Sequence, residues 1–278
     1  FNPDVFYNHS PRYDNNFVEE LNDDIIKICW DAVIKDYPWY HEDYDARVTL
    51  FEPYVRYWRS KNLRADLLTP AYVPSWKRHE RSQQNRDIDV LFYGQFTDNF
   101  FSKRNQIVEQ LLTWQSDNTY NVHVHLQGVP GKKPLINVKG FRRLTNWIHQ
   151  APEVIRKYAM GPIYGENLYQ SIGRSKIVVN AFTDYNGLFK DNMRTYEGIG
   201  MGALLTGQDG IYPDFIDTRE DILTYRSESD LIEKTEHALS HSEERVEKAK
   251  RANAKMKKRC SKEEQWQQFC SVVESVSV

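Results

Sequence analysis

Three side chains with hydrogen-bonding or charged groups that can hold a polar ligand fall within six residues of each other: Asn192, Arg194 and Glu197. They lie in residues 175–207, SKIVVNAFTDYNGLFKDNMRTYEGIGMGALLTG. Ile177-Val178-Val179 is a short β-branched run and reads as a buried parallel strand. A polar, Gly-containing loop from Thr183 to Lys190 follows, then a helix from about Asp191 that Gly200 and Gly202 end. Ala203-Leu204-Leu205-Thr206 makes the next strand. The spacing therefore predicts a strand–loop–helix–strand unit whose helix N-terminus carries the three side chains. In an open α/β sheet, ligands bind beyond the carboxyl ends of the strands, where such loops and helix starts gather. Free N–H groups and the positive end of the helix dipole favour an anion such as a diphosphate there.

The order R-x-x-E-G-x-x-x-G-A-L-L-T-G, from Arg194 to Gly207, resembles the donor-binding motif of GT-B glycosyltransferases. The similarity is to the broad group that includes group 1 and spore-maturation-protein-like transferases. It extends through YPDFIDTREDILTYRSESDLIEKTEHAL and covers roughly Asp87 to the C-terminus. The resemblance implies that Glu197 grips the ribose hydroxyls of a nucleotide-sugar and that Arg194 lies near its diphosphate. Many retaining members carry a second glutamate eight positions earlier. Here that position is Phe189, which leaves retaining and inverting chemistry both open. The resemblance also implies an α/β fold of two Rossmann-like domains of GT-B type, the N-terminal one short or truncated. Residues 1–80 would form that acceptor-side domain and 87–260 the nucleotide-sugar-binding domain. A last helix, 261–278, would pack back on the first domain.

Within the second domain, Ile88 to Tyr93 reads as a strand, Gly94 as a turn, and Ser102 as the N-cap of a helix from Lys103 to Trp114. Gly94, Lys103 and Arg104 resemble the family's first β–α loop, which implies that backbone and a basic side chain approach the donor phosphates. Helices are expected around Pro152–Met160 and Glu166–Gly173. By the same resemblance Tyr164 and Gly165 fall near the nucleotide base, although core packing explains Tyr164 equally well. His123 and His125 share one face of a strand from Val122 to Leu126. An H-x-H pair is half of a zinc site, yet no third ligand stands at suitable spacing, so a half-exposed strand face is the better reading. The Gly/Pro-rich basic stretch GVPGKKPLINVK, residues 128–139, lacks the spacing and the Ser/Thr of a P-loop. The Asp-x-Asp pair Asp87-Ile88-Asp89 starts a strand, the wrong end of the sheet for a donor-bound cation. No metal and no cofactor are expected; the nucleotide-sugar is a substrate.

A chain of 278 residues with a formal charge of −2 has room for two domains and gives no general case for nucleic-acid binding. Three cysteines, Cys29, Cys260 and Cys270, show no CxxC spacing and favour a reducing compartment. No apolar run approaches the roughly 18 to 20 residues of a membrane span, and no signal peptide is visible. The expected location is cytoplasmic. The chain begins at Phe1, consistent with a missing N-terminal segment. In the first domain, strands are expected at Pro3–Tyr7, Ile25–Trp30, Val48–Phe51 and Ala65–Thr69. Pro74 to Arg86, charged and poor in apolar side chains, reads as a linker. From Ser229 onward two or three helices follow. One gathers Lys248, Lys250, Arg251, Lys255, Lys257, Lys258 and Arg259, a basic face for an anionic membrane surface, or a solvated face balanced by Glu243, Glu244 and Glu247. Trp266, Phe269 and Val273 recur at helical spacing in the last.

The reaction expected is sugar transfer from a nucleoside diphosphate sugar to the hydroxyl of a glycan or other acceptor. An inverting reaction needs a general base, and a carboxylate or imidazole at a strand end is suitable. Asp31 is the best placed, with His9 and His41 behind it; in ordinary α/β folds a strand-end Asp caps a helix. The aromatic clusters Tyr37-Pro38-Trp39-Tyr40 and Tyr54-Val55-Arg56-Tyr57-Trp58 suit stacking on a sugar, as they suit a core. A GT-B-like nucleotide-sugar epimerase or hydrolase, and a non-catalytic nucleotide-binding scaffold, are the other classes that fit the motif.

Overall fold

The computed structural model describes residues 3–9, 16–31, 43–96, 102–129, 151–182 and 187–276. His41, the cluster at Tyr37–Tyr40 and most of the 128–139 stretch lie outside them. The chain divides into two compact units. The first comprises Phe1–Val73, Asp191–Met193 and Lys258–Val278; the second comprises Pro74–Lys190 and Arg194–Lys257.

The first unit is built on four parallel strands: β1 (Val5–Asn8), β2 (Ile26–Trp30), β3 (Ala46–Thr49) and β4 (Ala65–Leu67), in that spatial order. Register pairs Val5 with Ile26, Ile28 with Ala46 and Val48 with Asp66. A short helix, α1 (Asn16–Glu19), lies between β1 and β2, and α2 (Glu52–Ser60) follows β3. The third strand stops at Thr49, short of the expected Phe51, because Glu52-Pro53 opens α2 and proline is tolerated in a first helical turn. Tyr54 and Trp58 are buried in a cluster with Leu50 and Phe51, so these two rings serve the core. Tyr57 faces outward.

The second unit holds five parallel strands in the order β6-β5-β7-β8-β9. In chain order these elements are β5 (Ile88–Gln95), α3 (Ser102–Asp117), β6 (Val122–Gln127), α4 (Glu153–Tyr158), α5 (Gly165–Arg174), β7 (Ser175–Asn180), α6 (Met193–Gly200), β8 (Leu204–Gln208) and β9 (Leu223–Tyr225). α7 (Glu228–Ser240) and α8 (Ser242–Arg259) complete it. Val90, Ile177, Val179 and Leu204 fill one core with Ile107, Val108, Leu111 and Leu112 of α3. These are the positions that the helical spacing of α3 and the β-branched run of β7 mark as apolar. Gly202, at φ 73°, supplies the left-handed residue that ends α6 before β8.

Three local expectations are corrected. Gly94 is not a turn: it lies inside β5 and pairs with Leu126. Ser102 is the first residue of α3 rather than a cap outside it. Pro74–Arg86 is no solvated linker, since it forms two short 3-10 turns with Trp76 and Arg86 buried inside the second unit. Its charged composition hid one large apolar anchor and one arginine that caps helix ends.

The last helix, α9 (Lys262–Val276), belongs to the first unit. Val272 is buried with Ile28, Ala46, Val48 and Leu68, and Phe269 and Val273 pack against them. Gln265 donates to the Thr69 carbonyl at 2.8 Å, and Gln268 accepts from the Thr69 amide at 3.1 Å. No helix among the described residues is long and apolar enough to cross a membrane.

Candidate functional site

The strand order of the second unit reverses at β5. The chain steps from β5 outward to β6, then crosses to β7 on the other side. At such a switch point the loops beyond the two strands diverge and leave a crevice at their carboxyl ends. β5 ends there with Tyr93-Gly94-Gln95, β7 ends with Asn180, and α6 follows. The short apolar strands thus bring together residues 93, 180, 194 and 197, which are distant in sequence.

Arg194 and Glu197 are three residues apart on α6 and share a face. The Glu197 carboxylate accepts the Tyr93 hydroxyl on Oε2 at 2.6 Å. Its other oxygen takes no hydrogen bond among the described residues, so one acceptor remains for a ligand hydroxyl. Burial holds the Glu197 carboxyl above the usual carboxylate range, against the Tyr93 hydrogen bond and the Arg194 charge, which pull it down. Burial together with the Glu197 charge pushes the Tyr93 phenol well up.

Arg194 is half-buried. One terminal nitrogen donates to Asn180 Oδ1 at 2.7 Å and the other to the Tyr93 carbonyl. Its guanidinium carbon stands 5.1 Å from the Phe92 ring centre and 4.9 Å from that of Tyr93. Nε is buried without a partner among the described residues. Asn180 in turn donates to Thr195 Oγ1 at 3.1 Å, and the buried Tyr225 hydroxyl donates to the Asn180 carbonyl at 3.2 Å. A Cβ on Gly94 would stand 3.0 Å from an Arg194 terminal nitrogen, so glycine is what lets the guanidinium close over the strand end. A cation in the first turn of a helix opposes the helix dipole. That unfavourable placement, tolerated here through aromatic faces and fixed acceptors, concentrates positive potential where an anion would offset it.

Arg104 is buried on the first turn of α3 and donates to the Gln95 carbonyl at the end of β5. Tyr164 is 61 % exposed just ahead of α5, which removes core packing as its role. Asn192 is half-buried directly ahead of α6 and groups with the first unit. His9 and Asp31 also belong to the first unit, at the carboxyl ends of β1 and β2. His9 stacks on Trp30 with ring centres 4.3 Å apart. Asp31 is buried, with its amide donating to the Val48 carbonyl at 3.0 Å.

His123 and His125 share a strand face, 6.0 Å between ring centres, but only His123 is half-exposed. His125 is buried and its Nδ1 meets the Gly161 carbonyl at 2.7 Å. Asp87 and Asp89 are each taken by a cation at the amino end of the sheet, Arg174 and Lys176 respectively. Among the described residues no three His, Cys, Asp or Glu side chains gather as metal ligands. On α8, Lys248 donates to the Arg219 carbonyl, while Arg251, Lys255 and Lys257 meet Glu220, Asp221 and Glu80. Much of the basic face is thus turned onto its own unit.

Sequence reasoning missed Tyr93, Asn180 and Tyr225. The available signal was position alone: each lies in the last three residues of a strand of the sheet whose switch point carries the motif.

The sequence profile of glycosyl transferase-like proteins matches residues 103–271. No curated protein matches the sequence. Among solved structures, a glycosyltransferase from Rickettsia africae superposes with a TM-score of 0.68 at 10 % identity, covering 99 % of this chain and 77 % of that one. Sucrose-phosphate synthase from Thermosynechococcus elongatus gives 0.65 at 13 %, covering 98 % and 73 %. HepE from Anabaena, in complex with UDP-glucose, gives 0.65 at 9 %, covering 99 % and 78 %. At such identities the likeness is one of fold, and that fold is GT-B. With the profile spanning more than half its length and ending only in the last helix, the chain belongs to the glycosyl transferase-like family.

Proposed function

We propose that this protein transfers a sugar from a nucleoside diphosphate sugar to a hydroxyl of a glycan acceptor, without a divalent metal. The observation that carries the reading is the pairing of Arg194 and Glu197 on one face of α6, at the switch point of a parallel sheet. Glu197 Oε1 takes the ribose hydroxyls. The Arg194 guanidinium and the start of α6 meet the diphosphate as it leaves. Positive potential already in place where an anion develops is the strongest stabilisation that such a site can supply. Arg104, which donates to the Gln95 carbonyl at the end of β5, and the exposed Tyr164 complete the proposed donor site. The HepE structure, which holds UDP-glucose on the same fold, supports a nucleotide-sugar as the donor class.

The first unit supports the acceptor half. A cavity of about 750 Å3 there is lined by Tyr7, His9, Trp30, Pro70, Trp266 and Phe269. Flat rings with polar edges suit the faces of a sugar. His9 lines this cavity and serves as the general base, with Asp31 at the neighbouring strand end as the carboxylate alternative.

The experiment begins with thermal shifts against a panel of nucleoside diphosphates, where a ligand at 100 times its dissociation constant stabilises by about 2.7 kcal/mol. Transfer from the matching nucleotide-sugar is then measured before and after exhaustive EDTA treatment. Unchanged transfer is expected. Activity that disappears and returns with manganese or magnesium overturns the metal-free reading, and donor hydrolysis or epimerisation with no dependence on acceptor overturns transfer itself.

A further inference from the structure

The opposite end of the five-stranded sheet holds a second polar cavity. It measures about 620 Å3, within the range of small-molecule sites, and lies wholly within the second unit. Arg86 from ahead of β5, Lys176 from the start of β7, Arg245 and Lys250 from α8, and Gln83 line it. Ser242 and Glu243, the first residues of the 18-residue α8, close one side, so the positive end of that helix faces it as well.

The two arginines are unusual. Arg86 is 4 % exposed and Arg245 5 %. Arg86 donates to the carbonyls of Ile172, Ser175 and Met201 at 3.3, 2.6 and 2.7 Å. Arg245 donates to those of Ala238 and Leu239 at 2.8 and 3.3 Å. Neutral carbonyls at helix ends are therefore their only partners among the described residues, and neither meets a carboxylate. In both, Nε is buried with no partner among those residues. Burial, together with the Arg245 charge, lowers the Arg86 guanidinium to about 10 despite the Glu80 charge. Two buried cations with no carboxylate in direct contact, reached only at a distance by the charges of Glu80 and Asp89, are costly, and an anion between them would offset that cost. The nearby carboxylates are engaged by other cations: Asp89 by Lys176 at 2.6 Å, Glu80 by Lys257 at 2.9 Å and Glu247 by Arg251 at 3.2 Å. Glu243, exposed at the start of α8, and Glu247 also line the cavity and oppose an incoming anion. Gln83 donates to the Gly202 carbonyl at 2.8 Å, while its side-chain oxygen is buried and unpartnered among the described residues, an acceptor waiting for a hydroxyl.

We propose that this cavity is a second ligand site, taking a phosphorylated and hydroxylated metabolite of sugar-phosphate size. The phosphate meets Arg86, Arg245, Lys250 and the start of α8, and a ligand hydroxyl donates to Gln83. The site is separate from the proposed donor site and does not depend on that reading.

Calorimetric titrations with glucose 6-phosphate, inorganic phosphate and glucose, at matched ionic strength, test it. The sugar phosphate is expected to bind more tightly than inorganic phosphate, and glucose not to bind. Lys250→Glu, at an exposed position that leaves the fold intact, should weaken sugar-phosphate and inorganic-phosphate binding by about tenfold or more, the scale of one charged hydrogen bond. Gln83→Ala should weaken the sugar phosphate only. Both affinities should persist in Glu197→Ala. Binding that survives Lys250→Glu and Arg245→Gln but disappears in Glu197→Ala would place the ligand at the donor site and overturn the proposal. Equal affinity for inorganic phosphate and sugar phosphate would overturn the hydroxyl contact, and no heat with either would overturn the site.

Discussion

The two sheets are both parallel, yet they end differently. The five-stranded sheet reverses its strand order at β5, and the carboxyl ends of its strands carry polar groups locked to one another: Tyr93 on Glu197, Arg194 on Asn180, Tyr225 on Asn180. The four-stranded sheet runs β1 to β4 without reversal among the described residues, and two of its strands end in stacked rings, His9 on Trp30, beside an aromatic cavity. On the proposed function, the difference teaches how one architecture would divide recognition. A charged, hydroxylated ligand needs fixed donors and acceptors, because an unmatched buried polar group costs more than a matched one contributes. A neutral sugar offers flat faces and many hydroxyls, for which ring surface with adaptable edges suffices.

The sharpest way to break this comparison is Glu197→Ala. Removing the acceptor should weaken nucleotide binding by about 1.5 to 3 kcal/mol, the range for hydrogen bonds to a charged group, with the fold retained. Calorimetry showing unchanged affinity in a folded variant would remove the polar site from the donor half. Arg194→Ala should act next most strongly and selectively. Nucleoside diphosphate affinity should fall by about tenfold more than nucleoside affinity, and Arg194→Lys should restore only part of it, since an ammonium lacks the planar fork. Equal losses for the two ligands would make Arg194 a structural brace of Tyr93 and Asn180 alone.

Tyr93→Phe sharpens the electrostatics. Ligand hydroxyls need the ionised Glu197 carboxylate, so affinity is full above its folded-state pKa and is lost as pH falls through it. Burial raises that pKa and the Tyr93 hydrogen bond lowers it. The variant should therefore move the acid limb of nucleotide binding to higher pH, and lose about 1 kcal/mol of stability in denaturant melts. An acid limb that stays in place or moves down would contradict the assigned bond. For stability the sign is opposite: a raised carboxyl pKa means that the contribution of Glu197 falls as pH rises through it.

The smallest stability effect belongs to the first unit. Trp266 is 64 % exposed, so Trp266→Ala should change stability by less than about 0.5 kcal/mol while raising the KM for acceptor. An unchanged KM would detach the aromatic cavity from acceptor binding.

The motif from Arg194 to Gly207 was legible because its chemistry is local. A β-branched run, a helix between glycines and a following apolar run set β7, α6 and β8 within about two residues of their expected bounds. Tyr93 was not legible as the partner of Glu197, because 104 residues separate them and only the crossing from β6 to β7 brings them within 2.6 Å. Nor was the inward turn of Arg104, since a basic residue at a helix start reads the same whether it faces solvent or a strand end. Pro74–Arg86 misled for a related reason. Composition averages a segment, while burial is decided by single residues, here Trp76 and Arg86.

What the sequence by itself determined is the set of pieces: parallel strands from β-branched runs, helix ends from glycine, and a carboxylate and guanidinium one helical turn apart. These follow from backbone preferences and side-chain periodicity, which act over a few residues. Only the tertiary structure decided which strand end each side chain meets, which arginines are buried against neutral carbonyls, and where cavities open. Those depend on strand order and on desolvation, properties of the folded neighbourhood that no stretch of chain carries alone.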